Sequence, residues 1–303
     1  MDLTSQLLIN HDQIVIYGAK GWVGRSAVEL LTKEIPHLQK QKILLIGSVT
    51  ELAENANLPL DVYSALDANQ YLGRNILFLN AAYLRREKIA DMKAEDYEKK
   101  NEEIIEFALN QIKNGKTKTF INLSSGVASQ GSLENLHLVT DLYAKAKIRD
   151  EALFSQTCEL MKVQLINCRI YAMTGRFVNE FNNLALTSFI GQAIKDPYSI
   201  SVKSPTTLRT YIDSGDLVRV LFSLVLTGKN YQIDSGGELV ALGDLANLVS
   251  KAAKGSTVEK PENFEKSADY FGDYSEFNEL AGECGISLKS LSEQVSETFK
   301  AFL

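Results

Sequence analysis

The sequence predicts an α/β fold, a doubly wound parallel sheet joined to a smaller C-terminal α/β lobe. Short β-branched or apolar runs alternate with helical patterns through the first half of the chain, which is typical of a parallel sheet covered on both faces. The first of these runs ends in glycines. After Arg169 the clean alternation is lost, and residues 172–210 are rich in Asn, Ser, Thr and Phe.

Most of the predicted strands are short apolar runs, as expected of strands buried on both faces of a sheet. In chain order, the predicted strands cover residues 13–17, 42–46, 75–79, 119–123, 163–168 and, late in the chain, 231–234.

Each predicted helix carries apolar residues at helical spacing, for example Ile104, Ile105 and Leu109 on one face. The predicted helices begin near residue 23 and then cover residues 91–112, 140–160, 213–226, 242–253 and 288–302. Residues 237–303 are predicted to form short helices joined by loops. No internal repeat and no low-complexity tract interrupts this pattern.

Composition excludes several classes of function. The 303 residues include 45% apolar residues, enough for a large core, and the net charge is −6 with both signs mixed along the chain. Binding to duplex nucleic acid needs a basic face, so nucleic acid is not the expected partner. Three scattered cysteines and three scattered histidines predict neither disulfides nor a metal site. Without a signal-peptide pattern or a run long enough to span a bilayer, we expect a soluble cytoplasmic protein with no membrane partner.

A glycine turn follows the first predicted strand and opens the first predicted helix. Glycine permits the tight turn and lets backbone N–H groups approach a pyrophosphate at the helix N-terminus. Three unrelated glycines at a helix start would give the same spacing, but this position after a buried strand favours dinucleotide binding. The turn reads Gly18-Ala-Lys20-Gly21-Trp22-Val23-Gly24.

The end of the second predicted strand bears on which dinucleotide binds. An acid at the strand tip would bond the 2′-hydroxyl of NAD and repel the 2′-phosphate of NADP. Here Ser48 follows the strand and can donate to a phosphate, while Lys20 and Arg25 lie in the neighbouring turn. We therefore expect NADP(H) to be favoured, although Glu51 is close enough in sequence to keep NAD(H) open.

Tyr143 and Lys147 stand four residues apart in the helix predicted at 140–160, so one helical face carries both side chains. A free tyrosine titrates near pH ~10, and a lysine cation beside it lowers the pKa of the phenol. Such a phenol can give or take a proton near neutral pH. The same spacing also arises by chance in exposed helices.

The order of these motifs resembles the short-chain dehydrogenases/reductases, a family with the Rossmann fold. The GxxGxxG spacing and the chain length are similar to the extended branch of that family, which acts on nucleotide sugars. The motifs are the glycine turn, Asn80-Ala81-Ala82, Asn101, Ser124-Ser125, Tyr143-x-x-x-Lys147, Arg169-Ile-Tyr171 with Thr174-Gly175, and Arg209 with Asp216.

This resemblance implies two domains, with residues 1–171 binding the dinucleotide and 211–236 returning to that domain. Residues 172–210 and 237–303 would form the substrate-binding lobe. The resemblance also implies a homodimer.

In the same way, the resemblance assigns the catalytic roles. Tyr143 would be the acid/base, and Lys147 would lower its pKa and hold the nicotinamide ribose. Ser125, or Ser124 if the alignment shifts by one residue, would hydrogen-bond the reacting carbonyl or hydroxyl. Asn101 would steady the active-site helix, its alternative being an ordinary exposed polar group.

The binding roles follow from the resemblance as well. Asn80, Ala81 and Ala82 would line the cofactor together with the glycine turn and Ser48. Arg209 would clamp the substrate diphosphate, or else form a surface ion pair with Asp213 or Asp216. Asn182 or Asn183 would contact the nucleotide sugar.

The chemistry of the family is hydride transfer at a sugar carbon, coupled to a proton moved by the tyrosine. Dehydratases place an Asp-Glu pair after the strand-end Thr or Ser, whereas this chain has Gly126-Val127. We expect an NADPH-dependent 4-keto sugar reductase, with a nucleotide-sugar epimerase as the alternative. A non-catalytic NADP(H)-binding sensor or assembly subunit is the alternative from another class.

Overall fold

The structure is a computed structural model that describes residues 1–33, 35, 37–84, 92–178, 184–196 and 198–303. The described chain divides into two compact units. The first contains residues 1–169 and 218–233, and the second contains residues 170–217 and 234–303. The assignment of a cofactor domain and a substrate lobe stays a prediction, because compactness alone assigns no ligand.

The first unit is built on a seven-stranded sheet with the order β10-β6-β5-β4-β1-β2-β3. The strands are β1 (Gln13–Tyr17), β2 (Ile43–Gly47), β3 (Val62–Ser64), β4 (Ile76–Asn80), β5 (Thr117–Ser125), β6 (Gln164–Ile170) and β10 (Tyr231–Asp234). β1 pairs in parallel with both β2 and β4, so the strand order reverses direction between β1 and β4. The predicted doubly wound parallel sheet is confirmed. Ligands of such sheets bind outside the carboxyl ends of the strands at this reversal.

Helices cover the sheet and present buried apolar faces to it. They are α1 (Leu3–Asn10), α2 (Trp22–Thr32), α3 (His37–Lys40), α4 (Ala53–Ala56), α5 (Ala65–Ala68), α6 (Ala94–Lys113), α7 (Leu142–Met161) and α9 (Ser214–Val225), which begins in the second unit. One face of the sheet packs through aromatic rings, since Phe120 of β5 stacks on Phe78 and contacts Phe154 of α7. This packing fixes α7 against β5.

The second unit has two small sheets. β9 (Leu208–Asp213) pairs in parallel with β7 (Ala172–Thr174) and antiparallel with β11 (Glu238–Ala241), while β8 (Ser199–Ser201) pairs in parallel with β12 (Thr257–Glu259). Its helices are α8 (Ala185–Lys195), α10 (Leu242–Ala252), α11 (Tyr274–Glu283) and α12 (Leu291–Lys300). Residues of α8, α10 and α12 share one core with Tyr211 of β9.

The short strands are where the sequence-based description was wrong. The segment 237–303 was expected to hold helices and loops, but it contributes β11 and β12. Strands of three or four residues are too short for an alternating pattern to stand out from a loop. Among the described residues, no helix combines the length and the apolar character that crossing a bilayer requires.

Candidate functional site

Gly18 and Gly24 are required by the shape of the turn after β1. Gly18 has φ +89°, and a Cβ on it would lie 2.6 Å from the carbonyl carbon of Ala81. A Cβ on Gly24 would lie only 2.1 Å from the carbonyl oxygen of Gly18. Both contacts are with backbone atoms, so any side chain at these positions would push the turn away from β4 or from α2.

Gly21 has a different role, because its Cβ position is almost open, with Gly18 O at 3.2 Å as the sole close atom. It is the N-cap of α2, and no side chain caps the helix there. Trp22 and Val23 form the first turn, whose N–H groups have no acceptor within a helix. The open turn and the positive end of the helix dipole fit a pyrophosphate.

Lys20 does not stand alone in this turn. Its Nζ donates to both carboxylate oxygens of Glu51, at 2.8 and 2.7 Å. Glu51 lies four residues beyond the end of β2, and the chain brings it back to the glycine turn. Ser48 is exposed after β2. An acid therefore does lie at the turn, although it is absent from the strand tip itself.

The segment after β4 lies directly against the glycine turn. Ala81 donates its N–H to the carbonyl of Tyr17 at 2.8 Å, and the backbone of Ala81 and Ala82 is what a Cβ on Gly18 would meet. Asn80, the last residue of β4, is buried. The three residues predicted to line the cofactor are therefore brought together with Gly18.

Ser124 and Ser125 are the last two residues of β5, and both are buried. Successive side chains of a strand point to opposite faces, so the two hydroxyls do not share one environment. The Ser124 Oγ has no hydrogen-bond partner in the part of the chain that the structure describes. This favours Ser124, the alternative of the pair, as the hydroxyl left for a substrate.

Asn101 is buried in α6 and is not the exposed polar group of the alternative interpretation. Its Oδ1 accepts a hydrogen bond from the N–H of Leu84 at 2.8 Å, so it ties α6 to the segment that follows β4. Tyr97, one turn earlier in α6, donates to the carbonyl of the same Leu84 at 2.9 Å. Asn101 thus steadies the chain leading away from the predicted cofactor-lining residues.

Tyr143 and Lys147 lie on the first turns of α7, and the ring of Tyr83, from the segment after β4, contacts both side chains. Asp141 caps the helix by accepting from the N–H of Ala144 at 2.9 Å, which places Tyr143 in the first turn. The Lys147 Nζ lies 5.9 Å from the centroid of the Tyr143 ring and 3.5 Å from that of Tyr83. The two tyrosine rings meet edge to face at 5.7 Å.

Burial dominates the electrostatics of this group. It lowers the pKa of Lys147 to about 8, while the charges of Asp150 and Glu151 act in the opposite direction. Burial also raises the pKa of Tyr83 far above its ordinary value, with the charge of Asp150 as the second cause. Tyr83 is therefore a neutral ring under the Lys147 ammonium, in the geometry of a cation–π contact.

A row of side-chain amides crosses the same sheet, three of them buried and the last, Gln232, exposed. Asn80 donates to Asn122 at 3.1 Å, Asn122 to Asn167 at 2.6 Å, and Asn167 to Gln232 at 2.9 Å. These residues lie on β4, β5, β6 and β10, which are adjacent in the sheet. Beyond them, Gln232 donates to Glu151 at 3.4 Å. The amide row locks the strand ends that carry the site.

Several solved structures share the fold of this protein over nearly the whole chain. UDP-glucose 4-epimerase of Thermus thermophilus in complex with NAD has a TM-score of 0.71 at 15% identity, covering 96% of this chain and 98% of that one. UDP-glucose 4-epimerase of Thermotoga maritima with UDP-glucose has a TM-score of 0.71 at 17% identity, with the same coverage. A dTDP-glucose 4,6-dehydratase of Streptomyces venezuelae with NAD and DAU bound has a TM-score of 0.68 at 14% identity, covering 96% of each chain.

The chain shares its fold with these two epimerases and this dehydratase. No family model matches its sequence, and no curated protein matches it. Identities of this size establish the fold alone. The comparison therefore shows the backbone fold, while the roles of individual side chains rest on the geometry above.

Arg209 belongs to the second unit, where it is held by backbone groups. Its Nη1 donates to the carbonyls of Leu208 and Ala268, each at 2.8 Å, and its guanidinium lies over the Tyr270 ring. The expected alternative, an ion pair with Asp213 or Asp216, is not what the structure shows. Lys289 instead contacts Asp213 at 3.3 Å.

Asn182 and Asn183, which were predicted to contact the nucleotide sugar, lie outside the described residues. The described residues contain no group of three or more histidine, cysteine, aspartate or glutamate side chains that could hold a metal ion.

Sequence reasoning missed two residues beside Lys147. Tyr83 follows the Asn80-Ala81-Ala82 motif directly, and Asp150 lies three residues after Lys147 on α7. The i, i+3 spacing of Asp150 was a usable signal, because it places the carboxyl on the face of the lysine. The contact of Tyr83 depends on how two separate segments pack, which no local pattern reveals.

Proposed function

We propose that this protein is an NAD(P)-dependent oxidoreductase of the extended short-chain dehydrogenase/reductase family that acts on a nucleotide-activated sugar. The observation that carries the proposal is the placement of Tyr143 and Lys147 on α7, against β5. The same unit contains the glycine turn, whose three glycines each have a separate structural reason. Few other functions require a phenol and a buried amine in the same unit as a helix N-terminus left open for an anion.

Different residues of the first unit would bind different parts of the cofactor. The open N-terminus of α2 at Gly21, Trp22 and Val23 would hold the pyrophosphate, and the backbone after Asn80 would line the cofactor. The bound nicotinamide would supply or accept a hydride. Lys147 would hold the nicotinamide ribose and favour the charged form of Tyr143.

Tyr143 would transfer the proton that balances the hydride. Its place in the first turn of α7 puts it near the positive end of the helix dipole, which stabilises negative charge there. The Lys147 ammonium acts in the same direction. A serine hydroxyl of β5 would orient the carbonyl or alcohol oxygen toward Tyr143, with Ser124 favoured by its unpartnered Oγ.

We propose net reduction of a 4-keto sugar as the reaction, with epimerisation as the second candidate. Gly126 and Val127 stand where a dehydratase would carry its acidic pair, so elimination of water lacks its residues. Epimerisation is favoured by the likeness to two UDP-glucose 4-epimerases. Both reactions use Tyr143, and they differ in whether the cofactor is consumed.

The Lys20–Glu51 pair is proposed to set the choice of cofactor. Sequence reasoning favoured NADP(H) because the tip of β2 has no acid, but the Glu51 carboxylate lies at the glycine turn. A carboxylate there would bond a 2′-hydroxyl and repel a 2′-phosphate. NAD(H) thus becomes as strong a candidate as NADP(H), and the two similar structures with NAD bound favour it.

The second unit is proposed to bind the nucleotide sugar. Among the described residues, backbone carbonyls accept from the Nη1 of Arg209 alone, so the rest of its guanidinium fork can bind a diphosphate oxygen pair. A homodimer is also proposed, and sedimentation of the purified protein tests it.

The decisive experiment incubates purified protein with NADPH or NADH and a set of UDP- and dTDP-sugars that includes 4-keto-6-deoxy sugars. A reductase consumes the reduced cofactor, so absorbance at 340 nm falls. An epimerase converts the sugar, seen by chromatography, without net change in the cofactor. Tight cofactor binding with no conversion of any sugar would favour the non-catalytic sensor instead.

A further inference from the structure

Asp150 is a buried carboxyl that the proposed mechanism leaves unexplained. It lies one helical turn beyond Lys147 on α7, is 3% exposed, and neither carboxylate oxygen has a hydrogen-bond partner among the described residues. The Arg149 Nε is 3.8 Å from its Oδ1. A buried, unbonded carboxyl is costly, so it needs a compensating interaction.

Lys147 has a matching deficit. An ammonium has three N–H donors, and within the described part of the chain that of Lys147 makes one long hydrogen bond, 3.5 Å to the carbonyl of Leu123. Its remaining described contact at short range is the face of the Tyr83 ring, 3.5 Å from the Nζ. Burial alone disfavours the charged form of an amine. A counter-charge is therefore required if Lys147 is to stay protonated.

The other charges near Lys147 are already balanced. Glu151 is bound by Arg169, whose Nη2 lies 2.8 Å from its Oε2, and Glu102 is bound by Arg149 at 3.3 Å. The titratable groups around Lys147 come from α7, from α6 and from the segment after β4. They are Tyr143, Arg149, Asp150 and Glu151, then Tyr97 and Glu102, then Tyr83. Of these carboxyls, Asp150 has the weakest described partners. Its ion pair with Arg149 is long, at 3.8 Å, and the neighbouring Tyr83 hydroxyl makes no hydrogen bond of ordinary geometry to it.

We propose that Asp150 is the buried counter-charge that keeps Lys147 protonated, with the Tyr83 ring supporting the ammonium from the other side. Asp150 is a positioning residue, since it acts through Lys147. Only the catalytic consequence rests on the proposed function. In that function the Lys147 ammonium holds the nicotinamide ribose, and its charge favours proton loss from Tyr143.

The direction of the effect follows from the contacts. Burial lowers the pKa of Lys147 to about 8, and Asp150 is the first of the two charges that raise it. Burial also raises the pKa of Asp150, and the charge of Lys147 opposes that shift most. Removing the Asp150 charge therefore lowers the pKa of Lys147 further and leaves a neutral amine near pH 7.

The test is a pH titration of protein labelled with ¹³C at lysine Cε, with the Lys147 signal assigned by its loss in Lys147→Met. Asp150→Asn should move the Lys147 midpoint down by about 1–3 pH units. Asp150→Glu keeps the charge and should restore a midpoint near that of the wild type. Glu159→Gln, which removes the same charge from an exposed position of α7, should leave it unchanged.

An Asp150→Asn midpoint equal to that of the wild type would overturn the proposal, as would an equal shift in Glu159→Gln. A second measurement does not need the Asn variant to fold. In wild-type protein labelled at aspartate Cγ, with the Asp150 signal assigned by its loss in Asp150→Glu, that carboxyl should be ionised at pH 7. A protonated carboxyl there also overturns the proposal.

These titrations contain neither cofactor nor sugar, so they separate the proposal from the proposed function. If the protein binds no nicotinamide dinucleotide, the proposed function is wrong, but the titration midpoint of Lys147 still tests the role of Asp150. When the cofactor does bind, its affinity in Asp150→Asn should decline at a lower pH than in the wild type. A purely structural Asp150 would lower the melting temperature without moving either midpoint.

Discussion

Gly24→Ala is the substitution for which the structure gives the sharpest expectation. The added Cβ would lie 2.1 Å from the carbonyl oxygen of Gly18, where ordinary van der Waals contact begins at 3.4 Å. The oxygen would have to retreat by about 1.3 Å. That same oxygen accepts the N–H of Gly21 at 2.9 Å, so the retreat disrupts the glycine turn itself.

The expected cost is large because the obstacle is backbone and not a flexible side chain. Overpacking of this kind destabilises by about 1–3 kcal/mol, with the upper end appropriate to a backbone clash. For a unit of this size, each kcal/mol lowers the melting temperature by roughly 2–4 °C. We expect Gly24→Ala to melt about 6–12 °C below the wild type.

The assay compares three alanine variants by thermal unfolding and by fluorescence titration with NADH and NADPH. Gly282→Ala is the matched stability control, because nothing lies within 4 Å of its Cβ and it sits near the end of α11. It should be neutral or slightly stabilising, since alanine is the better helix former. Gly21→Ala should retain most of its stability, because its Cβ meets only one atom, at 3.2 Å, yet it should lose cofactor affinity.

A Gly24→Ala variant that melts at the wild-type temperature would contradict the expected clash, because the turn would then have room for the added Cβ. Normal cofactor binding by Gly21→Ala would contradict the second expectation, because Gly21 would then not lie beside the pyrophosphate.

The remaining predictions concern chemistry. Tyr143→Phe should remove most turnover while leaving cofactor affinity nearly intact, because only the proton path is cut; wild-type rate in steady-state assays would contradict the assignment. Lys147→Ala should weaken cofactor binding as well as rate, and unchanged affinity in a fluorescence titration would refute the ribose contact. Glu51→Ala should raise the NADPH affinity relative to NADH by about tenfold, since a like charge is removed from the 2′-phosphate; an unchanged ratio of dissociation constants excludes the pair as the selector. Arg209→Ala should raise KM for the nucleotide sugar more than it lowers kcat, and an unaltered KM would remove it from the substrate site.

Much of the first unit could be predicted from the sequence, because most of its strands, although not the three-residue β3, are rich in apolar residues. Gln13–Tyr17 and Tyr231–Asp234 were predicted to the residue. The position of Tyr143 and Lys147 on one helix also followed from spacing alone. In these cases the information is local, and each segment carries it by itself.

What sequence reasoning could not supply was contact between distant segments. Glu51 was set aside because it lies beyond the tip of β2, and only the path of the chain brings it to Lys20. Tyr83 and Lys147 are far apart in sequence and meet through packing of α7. The strands β7, β8, β11 and β12 are too short to carry a period, and they form because partners happen to lie beside them.

The hydrogen bonds in the row of amides across the sheet all run in one direction, from Asn80 toward Glu151. An ionised glutamate can only accept hydrogen bonds, so Glu151 obliges Gln232 to turn its NH₂ outward. Each amide behind it must then orient alike, and the last of them, Asn80, is left with an oxygen at its far end that no described group satisfies. The Glu151 carboxylate thereby sets the orientation of the Asn80 amide, three strands away from Gln232, without any movement of the backbone.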